Sequence, residues 1–321
     1  MAIYINGSSC ISPQNSFASA DFLSEAEPLQ KEYLPAIEPD YKNYLPVASL
    51  RRMSHILKMG VTTALCSLKE AQIEKPDAII TGTAMGCFED TDKFLRSIGD
   101  NNEQLLTPTS FIQSTHNTVG GQVALLTKCH GYNFTYTQQE HSFEDALSDA
   151  MLYLDENNNT NVLVGGLDEL NQTLFEIFSR AERVNKKYGI GEGSVFFTLG
   201  NKRSAACKTE LAGVKTIYDH APEKEIIHFL NKSGLKSEDI DVVLSDSEVE
   251  KLFPNSNPIH FKALCGEYFT SSAFALWLGN KIIAEGRLPK ASGEKKVRSL
   301  KNLLIINGPS NKTSLILLKA A

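Results

Sequence analysis

Short apolar runs alternate with amphipathic stretches along most of the chain. Runs rich in β-branched and aromatic residues predict strands, and they lie at residues 2–5, 78–80, 134–137, 162–164, 194–199, 241–244, 303–306 and 314–318. Apolar residues at helical spacing predict helices at 142–154, 223–235 and 273–278. Strands interleaved with helices indicate an α/β fold in which sheets are buried between layers of helices.

The alternation restarts in the second part of the chain. The first round ends near Leu199, and after Ala205 an amphipathic segment at 223–235 leads into the strand predicted at 241–244. We therefore predict two halves, residues 1–205 and 206–321, that echo one another without an exact repeat. We expect the join to lie in the polar stretch 201–225 and this stretch to hold only short elements.

Composition narrows the range of functions. The chain has 321 residues, 42% of them hydrophobic and 22% charged, as is typical of a globular protein. A formal charge of −6 without a long basic run argues against nucleic-acid binding, which needs clustered Lys and Arg. The six cysteines are scattered and predict neither a metal site nor a disulfide framework. No targeting or membrane-spanning segment is evident, so we expect a cytoplasmic protein.

Residues 131–154 (GYNFTYTQQEHSFEDALSDAMLYL) read as a strand, a sharp elbow and a helix. Ser142 and Asp145 form a Ser-x-x-Asp pattern, which predicts that Ser142 caps the helix. Glu140 lies in the elbow just before the helix, where free N–H groups and the helix dipole favour an anion. Taken alone, Glu140 is either an acid at a helix start or the chemical group that the elbow presents.

An ordered set of motifs accompanies this elbow. The set comprises Pro108, Ser114, Asn117, Gly120-Gly121, Gly131, Gln138-Gln139-Glu140, Gly165-Gly166-Leu167-Asp168-Glu169, Gly191-Glu192-Gly193-Ser194, Lys262 and Asn307-Gly308. In this order the chain resembles the β-ketoacyl synthases of the thiolase superfamily over nearly its whole length. The resemblance implies a thiolase-like fold, with two pseudo-duplicated halves in a layered α-β-α-β-α arrangement.

The chain departs from this family at the positions that carry the chemistry. Condensing enzymes need a cysteine to hold the acyl chain as a thioester and two histidines to support the developing negative charge. By the resemblance, the cysteine position is Glu140 and the two histidine positions are Asp246 and Glu267, while Lys262 is retained. Three acids near one cavity would repel anionic intermediates. We therefore expect no catalytic set, no metal and no cofactor of the chain's own.

The resemblance is closest to the chain-length factors, the non-catalytic homologues that pair with an active ketosynthase. It implies a heterodimer with a ketosynthase in polyketide, aryl-polyene or fatty-acid-like synthesis, with the phosphopantetheine of an acyl carrier protein reaching the complex through the partner. The partner would meet the segment 107–117, where Phe111, Ile112, His116 and Asn117 are the expected interface or tunnel residues.

Two alternatives remain open from the sequence. The chain could be an acyl-processing enzyme in its own right, either a malonyl decarboxylase that uses Glu140 or an atypical condensing enzyme that uses Cys265 or Cys129. It could also be a homodimeric binding or structural protein built on the same fold.

Overall fold

The computed structural model describes residues 1–181, 187–219, 221–245, 251–293, 300–308 and 311–321. Its main feature is a ten-stranded sheet. The strands are β1 Tyr4–Ile11, β2 Tyr33–Leu34, β3 Ala78–Gly82, β4 Tyr132–Tyr136, β5 Asn161–Asp168, β6 Ile190–Gly191, β7 Gly193–Gly200, β8 Thr209–Ile217, β9 Val242–Ser245, β10 Asn257–Ile259, β11 Asn302–Asn307 and β12 Thr313–Ala320. The short strands β2 and β6 form a separate parallel pair.

The sheet consists of two halves with the same topology. From the centre outwards the first half runs β1-β7-β5-β3-β4 and the second runs β8-β12-β11-β9-β10. In both halves the inner three strands are antiparallel and the outer three are parallel. The halves meet where Tyr4 of β1 pairs with Glu210 of β8. The predicted pseudo-duplication is therefore confirmed at the level of strand order.

Helices cover both faces of each half. They are α1 Phe22–Glu25, α2 Val47–Leu50, α3 His55–Glu70, α4 Phe88–Asp100, α5 Pro108–Gln113, α6 Thr118–Thr127, α7 Ser142–Glu156, α8 Gln172–Arg180, α9 Glu223–Lys232, α10 Lys262–Cys265 and α11 Ser271–Glu285. Helices α7 and α11 contact strands of both halves and form the central layer. Helices α3 and α6 cover the outer face of the first half, and α9 packs on the outer face of the second.

The side chains of each strand alternate between these layers, as the two-residue period of a strand requires. In β5, Val162 and Val164 join the core around α7 and α11, whereas Leu163 packs with α3 and α6. In β11, Leu303 joins the same central core and Leu304 packs with α9. Both strands are apolar on both faces because both faces are covered. The predicted α-β-α-β-α layering is confirmed.

Some predicted elements differ from the observed ones. The stretch 201–225, expected to hold only short elements, contains the nine-residue strand β8, Thr209–Ile217. The sequence did not predict β8, because this strand contains no long apolar run: five of its consecutive residues are only half-buried. The strand predicted at 2–5 starts at Tyr4 and continues to Ile11. The boundary at residue 205 stays a prediction.

Across the described residues we find no helix that is both long and apolar enough to span a membrane.

Candidate functional site

The predicted elbow joins β4 to α7 through one 3₁₀ turn, Gln139–His141. Gln139 has a φ of 55°, which lies in the left-handed region that non-glycine residues rarely adopt. Gly82, the last residue of β3, packs against the start of α7. A Cβ added to Gly82 would lie 2.3 Å from the carbonyl oxygen of Ser142. The absence of a side chain at Gly82 therefore allows α7 to start directly against the sheet.

The predicted cap by Ser142 is wrong. Ser142 is the first residue of α7, and its hydroxyl donates to the carbonyl oxygen of Gln139 at 2.8 Å while accepting from the N–H of Gln138. The hydroxyl thus holds the 3₁₀ turn closed and does not satisfy the helix N–H groups. The elbow therefore ends one residue earlier than the Ser-x-x-Asp pattern implied, because α7 already includes Ser142.

Glu140 is held by a lysine from a distant part of the chain. Its Oε2 is buried, has no hydrogen-bond partner among the described residues, and lies 3.8 Å from Nζ of Lys312. The expected stabilisation by helix N–H groups is therefore not provided by a hydrogen bond. A buried acceptor left without a partner costs about 1–3 kcal/mol, so this carboxylate is poised to accept a donor.

Glu140 faces a cavity of about 340 Å³ at the carboxyl ends of the parallel strands. Asp168 at the end of β5 and Asn307 at the end of β11 both line it, and these two strands occupy equivalent places in the two halves. Lys262 also lines it, and its Nζ donates to Oε1 of Glu267 at 2.7 Å. Ligands commonly bind at this end of a parallel sheet, and the cavity lies there.

Asp168 ties three elements together beneath the cavity. Its Oδ1 accepts hydrogen bonds from the Thr83 hydroxyl and from the N–H groups of Ala84 and Met85. Its Oδ2 accepts from both the N–H and the hydroxyl of Thr270, just before α11. Burial raises the pKa of Asp168, although these donors oppose the rise. The role of Asp168 is to position the strand end, because its acceptors are already used.

Two further carboxylates are buried, and of these Glu169 lines the cavity whereas Glu192 does not. Glu169 accepts from the N–H of Glu89 at 2.8 Å, and burial raises its pKa to about 7. Glu192 accepts from the N–H groups of Ala36 and Leu170 and contacts Nε2 of His55 at 2.9 Å. Burial lowers the pKa of His55, but hydrogen bonds to Glu192 and Glu38 outweigh it and raise the pKa to about 10. The His55 and Glu192 pair is therefore a structural ion pair.

The structure brings Glu140, Lys262 and Glu267 to one cavity. Their correspondence to the family's cysteine, lysine and histidine positions stays a prediction. Asp246 lies outside the described residues. Cys129 and Cys265, the alternative nucleophiles, are both buried, and neither is among the described residues that line the cavity.

The predicted interface residues lie on the surface. Phe111 and Ile112 of α5 have exposed fractions of 57% and 65%, and His116 and Asn117, just before α6, are also exposed. None of these four residues lines the cavity within the described part of the chain. They are available to a partner.

The sequence matches the family described as "Beta-ketoacyl synthase, N-terminal domain" over residues 26–223, more than half of the chain. The chain belongs to the β-ketoacyl synthase family. A search for similar sequences among curated proteins gives no match.

Solved structures of ketosynthases and their partners share the whole fold of this β-ketoacyl synthase family member. A chain of the AntDE:AntF complex, described as a type II PKS acyl-carrier protein in complex with its ketosynthase bound to the hexaketide, gives a TM-score of 0.82 at 14% identity, covering 100% of this chain and 99% of that one. The ishigamide ketosynthase/chain length factor gives 0.78 at 14% identity, covering 100% and 99%. The ketosynthase ApeO in complex with its chain length factor ApeC, from Xenorhabdus doucetiae, gives 0.74 at 14% identity, covering 100% and 98%.

Several residues of the site were missed from the sequence. Lys312 was not predicted to contact Glu140, although the neighbouring strands predicted at 303–306 and 314–318 would have placed it in a hairpin turn. The buried carboxylate of Glu169 was noted only as part of a glycine motif. The ion pair of His55 and Glu192 carries no signal in the sequence, because its members are 137 residues apart.

Proposed function

We propose that this β-ketoacyl synthase family member is a non-catalytic partner of an active ketosynthase, in the manner of a chain-length factor. One observation carries the proposal: the elbow between β4 and α7 presents the carboxylate of Glu140 to the cavity, and none of the six cysteines is among the described residues lining it. A condensing enzyme requires a thiolate there, because the growing acyl chain is held as a thioester.

The charges around the cavity support the same conclusion. Glu140, Glu169 and Glu267 line it together with Lys262, and the lysine contacts Glu267. Decarboxylation and condensation build up negative charge on an enolate and an oxyanion, which need hydrogen-bond donors and cations. A site dominated by carboxylates opposes both steps.

The surface around β4 offers a place for the partner. Among the described strands β4 lies at the edge of the ten-stranded sheet and pairs only with β3. Tyr132 and Phe134 on β4 are exposed by 39% and 46%. Neither Lys nor Pro protects this strand, and an unprotected aromatic edge strand is a template for pairing with another chain. We call β4 with the exposed residues Tyr132, Phe134, Leu125, Leu126 and Leu152 the edge face.

The edge face is flanked by the predicted partner segment. Helix α6, which carries Leu125 and Leu126, packs against β4, and α5 with Phe111 and Ile112 lies immediately before α6 in the chain. In this proposal the ketosynthase covers the edge face, and Phe111, Ile112, His116 and Asn117 close the end of its acyl tunnel.

The solved structures named above are complexes of ketosynthases with other proteins. The ishigamide and ApeO structures each pair a ketosynthase with a chain length factor, and the AntDE:AntF structure adds an acyl-carrier protein. We propose the same kind of pairing here, in polyketide or aryl-polyene synthesis. The phosphopantetheine arm of the carrier protein enters through the ketosynthase, so this chain needs no cofactor of its own.

An activity assay on the purified chain tests the absence of catalysis. With malonyl-loaded acyl carrier protein we expect no release of carbon dioxide above the rate without protein. Release by the isolated chain that disappears in Glu140→Ala would overturn the proposal and establish a decarboxylase.

A further inference from the structure

Two acceptor atoms on residues that line the cavity, Glu140 Oε2 and Asn307 Oδ1, have no hydrogen-bond partner among the described residues, and neither has the hydroxyl of Tyr268. The cavity's only lysine among the described lining residues, Lys262, contacts Glu267 at 2.7 Å. Asp168 is saturated by five donors from Thr83, Ala84, Met85 and Thr270. The carboxylate of Glu140 has no hydrogen-bonded donor in the described structure and lies 3.8 Å from Lys312 Nζ. Among the described residues, the carboxylate of Glu140 is therefore without a hydrogen-bond donor, and its only close cation lies beyond hydrogen-bonding distance.

A second acceptor without a donor lines the same cavity. Asn307 lines the cavity with an exposed fraction of 5%, and its Oδ1 has no hydrogen-bond partner among the described residues. The next residue, Gly308, packs against the backbone of Lys312. A Cβ added to Gly308 would lie 2.2 Å from the carbonyl oxygen of Lys312. The same turn therefore brings Asn307 next to the lysine that contacts Glu140. Buried acceptors of this kind are satisfied by a ligand that supplies N–H or O–H donors.

Part of the cavity lining is apolar. Leu170, Leu174, Phe178 and Phe269 line the cavity, and they fit a hydrocarbon group. Within the described residues no group of three or more His, Cys, Asp or Glu side chains could hold a metal ion. The ligand that matches this combination carries its positive charge on a nitrogen that can donate hydrogen bonds, and it has an apolar body.

We propose that the cavity binds a small amphiphile with a protonated primary amine, with the ammonium group between Glu140 and Asn307 and the hydrocarbon against the leucine and phenylalanine wall. An acyl group ending in a carboxylate is excluded by the same charges. The site lies within one chain, so the inference does not rest on the proposed pairing with a ketosynthase and can fail independently of it.

Titration calorimetry on the purified chain with octylammonium chloride tests the proposal. We expect saturable binding of one equivalent, with octanoate and octanol weaker by at least about tenfold, since one lost charge contact is worth about that factor. Glu140→Gln should weaken octylammonium binding by about tenfold. Glu156→Gln, the same change at the exposed far end of α7, should leave it unaltered.

A variant that is expected to bind octylammonium more tightly distinguishes a specific effect from a general loss of folding. Lys312→Met removes the cation beside Glu140 and should tighten octylammonium binding, an outcome that damage to the fold would not produce. Equal affinity for octanoate, absence of saturable octylammonium binding, or the same affinity in Glu140→Gln and Glu156→Gln would each overturn the proposal.

Discussion

Each carboxylate around the cavity is stabilised by a different means, and the difference decides how it responds to pH. Asp168 is surrounded by donors, Glu192 contacts His55, and Glu169 has one backbone N–H. Burial raises the pKa of Glu169 from 4.5 to about 7. A carboxyl whose pKa is higher in the folded state favours folding at low pH, and this contribution is lost as the pH rises through about 7.

Replacing Glu169 tests this assignment. Glu169→Gln keeps an acceptor for the N–H of Glu89 and removes the charge. We expect the variant to exceed the native chain in free energy of unfolding by about 1–3 kcal/mol at pH 8 and to match it near pH 4.5. Urea denaturation at the two pH values measures the difference. A pH-independent difference, or a similar gain from the exposed control Glu156→Gln, would refute the assignment.

The ion pair of His55 and Glu192 favours folding at neutral pH, whereas the buried carboxylate of Glu169 opposes folding once it is ionised. The pKa of His55 is raised to about 10, so its contribution is fully present below about pH 6.5 and is lost as the pH rises through about 10. We expect His55→Gln to lower the free energy of unfolding by about 2–3 kcal/mol at pH 7, because it leaves Glu192 buried without its cation. The loss should shrink at pH 10.5. His228→Gln, on the exposed side of α9, provides the control and should have little effect at either pH.

Only part of the cavity could be predicted at this scale. Glu140, Lys262 and Glu267 were found because the order of the motifs fixed their positions. Lys312 and Asn307 lie near the cavity although they are more than 160 residues from Glu140 in the sequence. The hydrogen bond between His141, next to Glu140, and the carbonyl oxygen of Lys312 joins residues that are 171 positions apart. Contacts at that separation depend on how the two halves meet, and one sequence alone does not contain this information.

At the scale of elements, the elbow depends on the close approach of β3 to α7. Gly82→Ala would place a methyl group against the backbone of Ser142 and Phe143, at 2.3–2.7 Å. We expect a loss of about 2–3 kcal/mol in the free energy of unfolding, because neither backbone can yield without shifting α7. Gly99→Ala in α4 has no atom within 4 Å of the added carbon and should be neutral or stabilising by up to about 1 kcal/mol. Equal effects of the two substitutions in thermal denaturation would show that the elbow is not constrained there.

The edge face makes a prediction about association. Phe134→Lys places a charge on the exposed side of β4 and should leave the fold intact, since the side chain is 46% exposed. We expect affinity for the ketosynthase to fall at least about thirtyfold, the effect of losing a central aromatic anchor. Ile37→Lys is the matched control, because Ile37 is 52% exposed and its N–H bonds to Ser12 next to β1, four strands away from β4. Surface-immobilised binding assays that rank the two variants equally would exclude the edge face as the interface.

Most elements were predictable because both faces of the inner strands are covered. Apolar runs such as 162–164 and 303–306 fall within β5 and β11, where every residue but the first is buried. The strand β8 was missed because its residues alternate less clearly between core and solvent. The helix cap was predicted wrongly because Ser142 bonds back to Gln139, which the Ser-x-x-Asp pattern does not distinguish from a cap.

On the scale of the whole molecule, the two halves share one strand order and meet around α7 and α11. The cavity lies where β5 and β11, equivalent strands of the two halves, end in Asp168 and Asn307. The fold is shared over the whole chain with solved ketosynthase structures, and the elbow between β4 and α7 presents the carboxylate of Glu140 to the cavity. If, as we propose, the chain does not catalyse condensation, a second chain that binds its surface gives the fold a role, and the exposed aromatic edge at β4 is such a surface.

The native mass of the co-expressed proteins tests this account most directly. The chain should be produced together with ketosynthases from its own source genome, one at a time, and analysed by native mass spectrometry without crosslinking. We expect a dominant species that contains one copy of each protein. A dominant species with two copies of this chain, and the ketosynthase found only in separate assemblies, would contradict the role of a ketosynthase partner.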